Sequence, residues 1–504
     1  MRRYIAEGLY EYISQNHSIW HMPGHKREKF PIDKNSLDVA YVDNILNQID
    51  TIDVTEVSGT DDLHNPTEMI KASEDELAKV YHTFASYYLV NGSTCGIMAA
   101  VAACCKVGDK IIIADNCHKS VHNIAELLCL ERVYIPFSNL NYMQSVSVDK
   151  VKRLCMENAD AKAIIITSPT YEGIVSDIES ISEISKAYDM KLIVDEAHGA
   201  ALPFIAGRGV YDEIMKLPSS GISLGADIII QSLHKTLPSM TQTAMLHVQN
   251  EALDKDIRKY LSVFMSSSPS YIMLCSMERA VALASKWDYT DYLNELKSFR
   301  EKFKTEIKNF SLLDNESSDG IFAYDSTRLV VRIKSNKEDI DIKVNHNIKA
   351  DTEKVNNKIL TGAILESILS DRYNIVCEMS GIDYVVLIST IADEKKDYEY
   401  LYNSIKELDE NYDGIISDFL SINDKSGEIT DGEEILSDME FRNEEYRKKT
   451  IKKLDELEGK IAKDNIYVYP PGIYLVKKGE SYTGEKLNEL REYVNSGKQL
   501  HGEL

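Results

Sequence analysis

An α/β fold built on a mainly parallel, seven-stranded sheet is what this 504-residue chain predicts. Seven short apolar runs, near residues 87, 111, 132, 163, 191, 227 and 244, alternate mostly with stretches of helical character, as strand–helix–strand units do. Five of the runs break off into polar or glycine-containing segments, and in open sheets ligands are held at the carboxyl ends of the strands. The runs fall between about residues 61 and 285, which predicts one large domain there.

Residues 1–60 read as a helix followed by an extended arm. The arm carries His21-Met22-Pro23-Gly24-His25-Lys26, but Pro23-Gly24 keeps the two histidines off a common helical face, so a zinc site is not expected. Residues 87–90 run into Asn91-Gly92-Ser93-Thr94-Cys95-Gly96 and an alanine-rich helix, a way of presenting N–H groups and hydroxyls to a phosphate. Ser93 and Thr94 are the expected cradle, with Cys95 a further candidate. Residues 110–114 lead to Asp115-Asn116-Cys117-His118-Lys119-Ser120, placing the His118 imidazole where it could stack on a cofactor ring. Residues 163–166 end in the polar loop Thr167-Ser168-Pro169-Thr170-Tyr171-Glu172-Gly173, and residues 191–194 in Asp195-Glu196-Ala197-His198-Gly199. After the run 226–231 come Ser232-Leu233-His234-Lys235.

From 286 to about 410, a long helical stretch precedes strand candidates at 328–333 and 384–388, and a smaller α/β domain is expected. Residues 411–445, rich in Asp, Glu, Ser and Gly, read as a solvated connector that could carry a short helix. Within 411–504, helix resumes at about 447–460, Tyr469-Pro470-Pro471-Gly472-Ile473 follows, and a helix at 484–495 comes last.

The balance of 57 Lys and Arg against 81 Asp and Glu, a formal charge of −24, argues against a nucleic-acid surface. No apolar stretch approaches the roughly 20 residues that cross a bilayer, and the first residues lack a signal peptide's apolar core, so a cytoplasmic enzyme without membrane contact is expected. Eight cysteines without a Cys-x-x-Cys pair read as reduced thiols.

A lysine at the end of a buried strand is costly unless it is used. Lys235 and Asp195 supply what pyridoxal 5'-phosphate needs, an amine for its aldehyde and an acidic group for its pyridine nitrogen. Taken singly such signals are weak. Their weight comes from position: five strand ends deliver a phosphate nest, an imidazole, a polar loop, a carboxylate and a lysine to one sheet edge.

The segments Asn116–Ser120, Asp195–Gly199 and 231–235, with His21 to Lys26 and Tyr469 to Ile473, resemble the bacterial ornithine/lysine/arginine decarboxylases over most of the chain and in the family's order. The resemblance implies a pyridoxal phosphate-dependent fold type I, aspartate aminotransferase-like architecture. It implies Lys235 bound to the cofactor aldehyde, Asp195 on the pyridine nitrogen and His118 against the ring as the catalytic residues. Ser93, Thr94, Ser232 and His234 would hold the phosphate, and Ala197 and His198 would line the face opposite His118 or the substrate side. The implied reaction is decarboxylation of a basic amino acid, arginine ahead of lysine and then ornithine, in polyamine synthesis or acid resistance. A homodimer or dimer of dimers is implied as well. Because the His-Met-Pro-Gly-His-Lys motif begins at residue 21, the chain resembles the shorter subgroup without an N-terminal receiver-like domain. Two departures are Leu233, where many relatives have a small hydroxyl residue, and Tyr474, where others continue with proline. A distal cation needs an acidic partner, and Glu172, Glu378, Asp61 and Asp62 are candidates, each as readily a solvated carboxylate. The alternatives are an aminotransferase or lyase on the same fold, or a non-catalytic regulatory protein, which would be expected to have lost Lys235 or Asp195.

Overall fold

The computed structural model describes residues 17–21, 23–26, 53–57, 59–137, 143–314, 320–334, 360–416, 446–468, 472–495 and 498–504. The expected helix before residue 17, most of the 411–445 connector, Met22 and Tyr469 to Pro471 lie outside the described residues.

In chain order the first strands are β1 (Ser18–Trp20), β2 (Ala85–Leu89), β3 (Lys110–Ala114), β4 (Glu131–Ile135), β5 (Ala163–Thr167), β6 (Ile174–Val175), β7 (Lys191–Asp195), β8 (Ile228–Gln231) and β9 (Ala244–Val248). All seven expected runs join one sheet, ordered β2-β9-β8-β7-β5-β3-β4. Only β9 runs antiparallel to its neighbours, and the other pairings are parallel. The Ile-Ile-Ile cores of β3, β5 and β8 are completely buried, as strands covered on both faces must be. The helix Gly92–Cys104 is apolar nearly all round and sits close on the sheet: a Cβ at Gly96 would lie 2.6 Å from Leu89 Cδ1 and 3.3 Å from Ile230 Cγ2.

The smaller sheet is antiparallel. Its strands β10 (Phe310–Leu312), β12 (Arg328–Ile333), β14 (Met379–Ser380) and β15 (Tyr384–Ile388) lie in the order β10-β12-β15-β14, flanked by helices Thr290–Glu306, Gly362–Tyr373 and Lys395–Glu410. Two short pairings tie this part to the rest: β11 (Ala323–Tyr324) with β6, and β13 (Ile375–Cys377) in parallel with β1. The last strands, β16 (Ile466–Val468), β17 (Ile473–Val476) and β18 (Leu500–His501), form a sheet with a core of its own around Leu454, Ile466, Val476 and Leu490. The helix expected to reach about 460 ends at 455, where a turn containing Gly459 at φ 75° takes over. Among the described residues no helix is long and apolar enough to cross a membrane.

Ile165 sits in the centre of β5, between Ile113 and Ile193, with no exposure. Ile165→Ala should cost about 2–5 kcal/mol, read as a lowered urea midpoint for the loss of tertiary fluorescence.

Candidate active site

β5, β7 and β8 end side by side, and Thr167, Asp195 and Ser232 at those ends line a cavity of about 250 Å³. Lys235 enters it from the short helix Leu233–Thr236, directly after β8, and Asp195 is the last residue of β7. The Lys235 ammonium donates to His198 Nε2 at 2.8 Å and lies 5.7 Å from the centre of the Tyr171 ring. Burial lowers the Lys235 pKa to about 8, against the charges of Asp195 and Glu378, which favour the ammonium. Burial pushes the Asp195 carboxyl upward, opposed by Lys235 and by the Ala197 N–H, which donates to Oδ1 at 3.1 Å. Ala197 lines the same cavity.

His198 is held neutral, first by burial and then by the charges of Lys235 and Arg328. Because Nε2 faces an ammonium, its proton belongs on Nδ1. Among the described residues that buried Nδ1 has no hydrogen-bond partner, and neither has Asn116 Oδ1, another buried atom on a residue of the cavity wall. Two orphaned polar atoms are the mark of a pocket that expects a polar guest.

Opposite chemistry is gathered at the start of the helix Gly92–Cys104. Gly92, at φ 77°, turns the chain so that the first-turn N–H groups face the cavity edge lined by Ser93 and Thr94. Ser93 Oγ meets Ser232 Oγ at 2.6 Å, bringing two separate strand ends together. His234 Nδ1 donates to the Thr243 carbonyl at 2.9 Å, and burial lowers its pKa to about 4. The helix dipole, two serine hydroxyls and Thr94 make a cradle that fits a phosphate. Cys95 does not belong to it: its thiol donates back to the Gly92 carbonyl at 3.0 Å, inside the helical turn, and burial raises it to about 12.

His118 also lines the cavity and caps the helix Lys119–Leu127. Its Nδ1 accepts the Ser120 N–H at 3.2 Å, which leaves the proton on Nε2, and burial together with Lys235 lowers its pKa to about 4. A neutral, fixed imidazole is suited to lie against an aromatic ring.

The acidic candidates separate. Glu172 lines the cavity, buried, and accepts from Thr170 Oγ1 at 3.0 Å and Tyr384 OH at 2.9 Å. Glu378 accepts from the Tyr171 hydroxyl. Asp61 instead collects the N–H groups of Thr67, Glu68 and Ile70, each at 2.9 Å, and is held down near 2; Asp62 accepts from the His64 N–H at 2.8 Å. Neither lines the cavity: Asp61 is taken up by free donors at the start of the helix Met69–Tyr81, and Asp62 by the turn that precedes it.

Sequence reasoning passed over Asn116, Thr167, Tyr171 and Ile473, all cavity-lining. Asn116 and Tyr171 stand inside motifs that were read, but which way each side chain points depends on backbone angles the motif does not display. Ile473 reaches the wall because the Lys119 N–H donates to the Gly472 carbonyl at 3.1 Å and Tyr474 stacks on His122 at 4.7 Å. Leu233 is fully buried, away from the cavity lining.

The family model for the major domain of the Orn/Lys/Arg decarboxylases matches residues 5–397, and the model for their C-terminal domain matches residues 439–502. The chain belongs to this family. It is a pyridoxal phosphate-dependent amino-acid decarboxylase whose substrates are basic amino acids. The arginine decarboxylase of Bacillus subtilis (strain 168) is 27% identical over 507 residues, covering 99% of this chain and 95% of its own length. The inducible lysine decarboxylase of Escherichia coli (strain K12) is 24% identical over 333 residues, 64% of this chain and 44% of that protein. Among solved structures, a Francisella novicida lysine decarboxylase superposes with a TM-score of 0.69 at 18% identity, covering 99% of this chain and 81% of that one. An alanine–glyoxylate aminotransferase from Nostoc sp. superposes with a TM-score of 0.53 at 12% identity, covering 78% of this chain and 95% of that one. These two likenesses establish the fold type I architecture.

In cofactor-free protein, labelling of Lys235 by an amine-reactive reagent should rise with pH about a midpoint near 8. Asp195→Asn removes a charge that favours the ammonium, so its midpoint should fall lower still. A midpoint that rises in the variant would contradict this arrangement; mass-spectrometric labelling across pH measures it.

Proposed function

We propose that this protein decarboxylates arginine, with lysine and then ornithine as lesser substrates, to the corresponding amine and carbon dioxide. The observation that carries the reading is the convergence of Lys235, Asp195 and the Ser93–Ser232 hydroxyl pair on one cavity. Arginine is placed first because the Bacillus arginine decarboxylases are similar across nearly the whole length of both chains.

When bound, pyridoxal phosphate supplies a sink for the electron pair left behind as carbon dioxide departs. Lys235, its pKa lowered to about 8, gives up its proton more readily than an ordinary lysine and would be the amine that holds the cofactor's aldehyde. His198 Nε2 is the base within reach of that proton. Asp195 would pair with the pyridine nitrogen, which favours its anion, and His118 would lie against the ring. Ser93, Thr94, Ser232 and His234 would hold the phosphate, while Ala197 and His198 would line the face opposite His118 or the substrate side. Tyr171 and Ile473 help to keep the wall dry, which favours loss of a carboxylate's charge. Glu172 on the cavity wall, and Glu378, which accepts from the Tyr171 hydroxyl, are the carboxylates offered to a distal cation.

The reading extends to organisation: an arm to about residue 60, a cofactor domain at 61–285, a small α/β domain at 286–410 and a C-terminal part at 411–504. It includes a cytoplasmic homodimer or dimer of dimers, the commonest symmetric assemblies, working in polyamine synthesis or acid resistance. Sedimentation of the active protein should give at least a dimer; a fully active monomer at assay concentration would refute that part.

Arginine, lysine and ornithine supplied separately to the holoenzyme should release their amines in that order of kcat/KM, and borohydride should fix the cofactor covalently to Lys235. Amine products in another order would overturn the substrate, and reduced cofactor mapped to another lysine would overturn the site.

A further inference from the structure

The His21 to Lys26 motif is left without a task by the decarboxylase reading, and its residues 23–26 are packed between two parts of the molecule that must stay in register. Gly24 lies flat against the turn that bears Lys235. Its N–H donates to the His234 carbonyl at 2.7 Å. A Cβ there would stand 2.9 Å from the Leu237 carbonyl oxygen and 3.0 Å from Thr236 C, main-chain atoms that cannot swing aside. From the other side, Thr390 Oγ1 donates to the Gly24 carbonyl at 2.8 Å.

Two residues later the Lys26 ammonium is buried and donates to the carbonyls of Ile19 at 2.9 Å and Ile388 at 2.7 Å, and to Asp393 at 3.1 Å. Three N–H groups meet three acceptors, which is what a desolvated ammonium requires. Asp393 in turn accepts the Thr390 N–H at 2.7 Å, so the loop after β15 is organised around the same ion pair. Lys26 adopts φ 49°, a left-handed conformation that a lysine takes only when held there.

We propose that this segment is a strap that positions Lys235, with Gly24, Lys26, Thr390 and Asp393 as its positioning residues. The helix that bears the lysine is four residues long, and its turn is held by two backbone bonds, Leu237 N–H to the Leu233 carbonyl at 2.8 Å and a long one from the Lys235 N–H to the Ser232 carbonyl at 3.3 Å. So short a turn takes its orientation from outside donors, and the Gly24 N–H supplies one at the residue just before the lysine. The strap thereby makes the starting point of the Lys235 side chain depend on the loop after β15 in the small sheet. This rests on Lys235 being the cofactor lysine, which borohydride mapping on the unaltered enzyme decides separately.

The test uses holoenzyme. Thr390→Val removes the hydroxyl that holds Gly24 while keeping the shape, Thr390→Ser restores it, and Gly24→Ala forces the strap off the turn. In Thr390→Val and Gly24→Ala, kcat should fall about tenfold or more while KM changes far less. The pH at which the cofactor–lysine absorbance titrates should move by about half a unit or more, and Thr390→Ser should recover both. A lowered Tm with kcat and the titration unchanged would make the strap merely structural and overturn the proposal, as would variants indistinguishable from the parent. Should Gly24→Ala fail to fold, the Thr390→Val and Thr390→Ser pair decides the matter alone.

Discussion

A primary amine in a partly buried cavity, at the end of a sheet whose central strands are rich in isoleucine, is the constraint around which the rest of the structure is arranged. Burial, helped by the charge of Arg328, favours loss of the Lys235 proton, and the negative charges of Asp195 and Glu378 oppose that loss. The outcome, a pKa of about 8, is a lysine poised between a stored ammonium and a nucleophilic amine near neutral pH. Nothing in the lysine's own chemistry supplies that poise. It comes from the parallel order of β5, β7 and β8, which places the Asp195 carboxylate and the lysine turn at adjacent strand ends with apolar layers on both faces.

The same sheet edge separates two carboxylates that are neighbours in sequence. Asp195 faces the cavity, whereas Glu196 is buried with three donors: Ser220 Oγ at 2.6 Å, the Gly221 N–H at 3.0 Å and Gln231 Nε2 at 2.8 Å. Gln231 passes the connection to His247 Nε2 at 3.2 Å, and His247 Nδ1 meets Ser86 Oγ at 2.9 Å, so the polar chain crosses β8, β9 and β2 beneath the site. Burial nonetheless raises Glu196 to about 7. Each broken link would leave a buried polar group unsatisfied at about 1–3 kcal/mol, which makes this chain a brace for the turn that presents Asp195 and His198. Gly199 completes the brace by absence: a Cβ there would lie 2.7 Å from Glu196 Cγ and 2.9 Å from Pro169 Cδ.

Much of this could be read from the amino acids, and the reason is local. β8 followed by Lys235, β7 followed by Asp195, and the Gly-Ser-Thr turn before an alanine-rich helix each place a functional group within a few residues of a recognisable strand, so strand order and side-chain identity suffice. What escaped depends on direction or on distant partners. Cys95 shares the phosphate turn with Ser93 and Thr94, but a helix advances about 100° per residue, and that step turns its thiol from the cavity into the Gly92 carbonyl. Asp61 and Asp62 are indistinguishable in sequence from substrate-binding carboxylates until the helix-start donors that Asp61 collects and the turn N–H that Asp62 accepts are seen. The antiparallel order of the smaller sheet was equally hidden, since two apolar runs do not state their relative sense.

The least legible part is the most distant in sequence. Lys26 and Asp393 are separated by 367 residues, and neither stands in a pattern that names the other. Their meeting follows from β1 pairing in parallel with β13, which carries the arm to the side of β15 and sets Trp20, fully buried, 4.9 Å from the Lys26 ammonium. Once there, an unpaired Lys26 would leave a buried aspartate uncompensated, and the reverse holds as well, so the pair is stable only as a pair. That mutual dependence selects one register of the arm against the small sheet. A chain that merely buried apolar surface along the arm could slide, whereas this one has its lysine, glycine and threonine hydrogen bonds satisfied together in a single alignment.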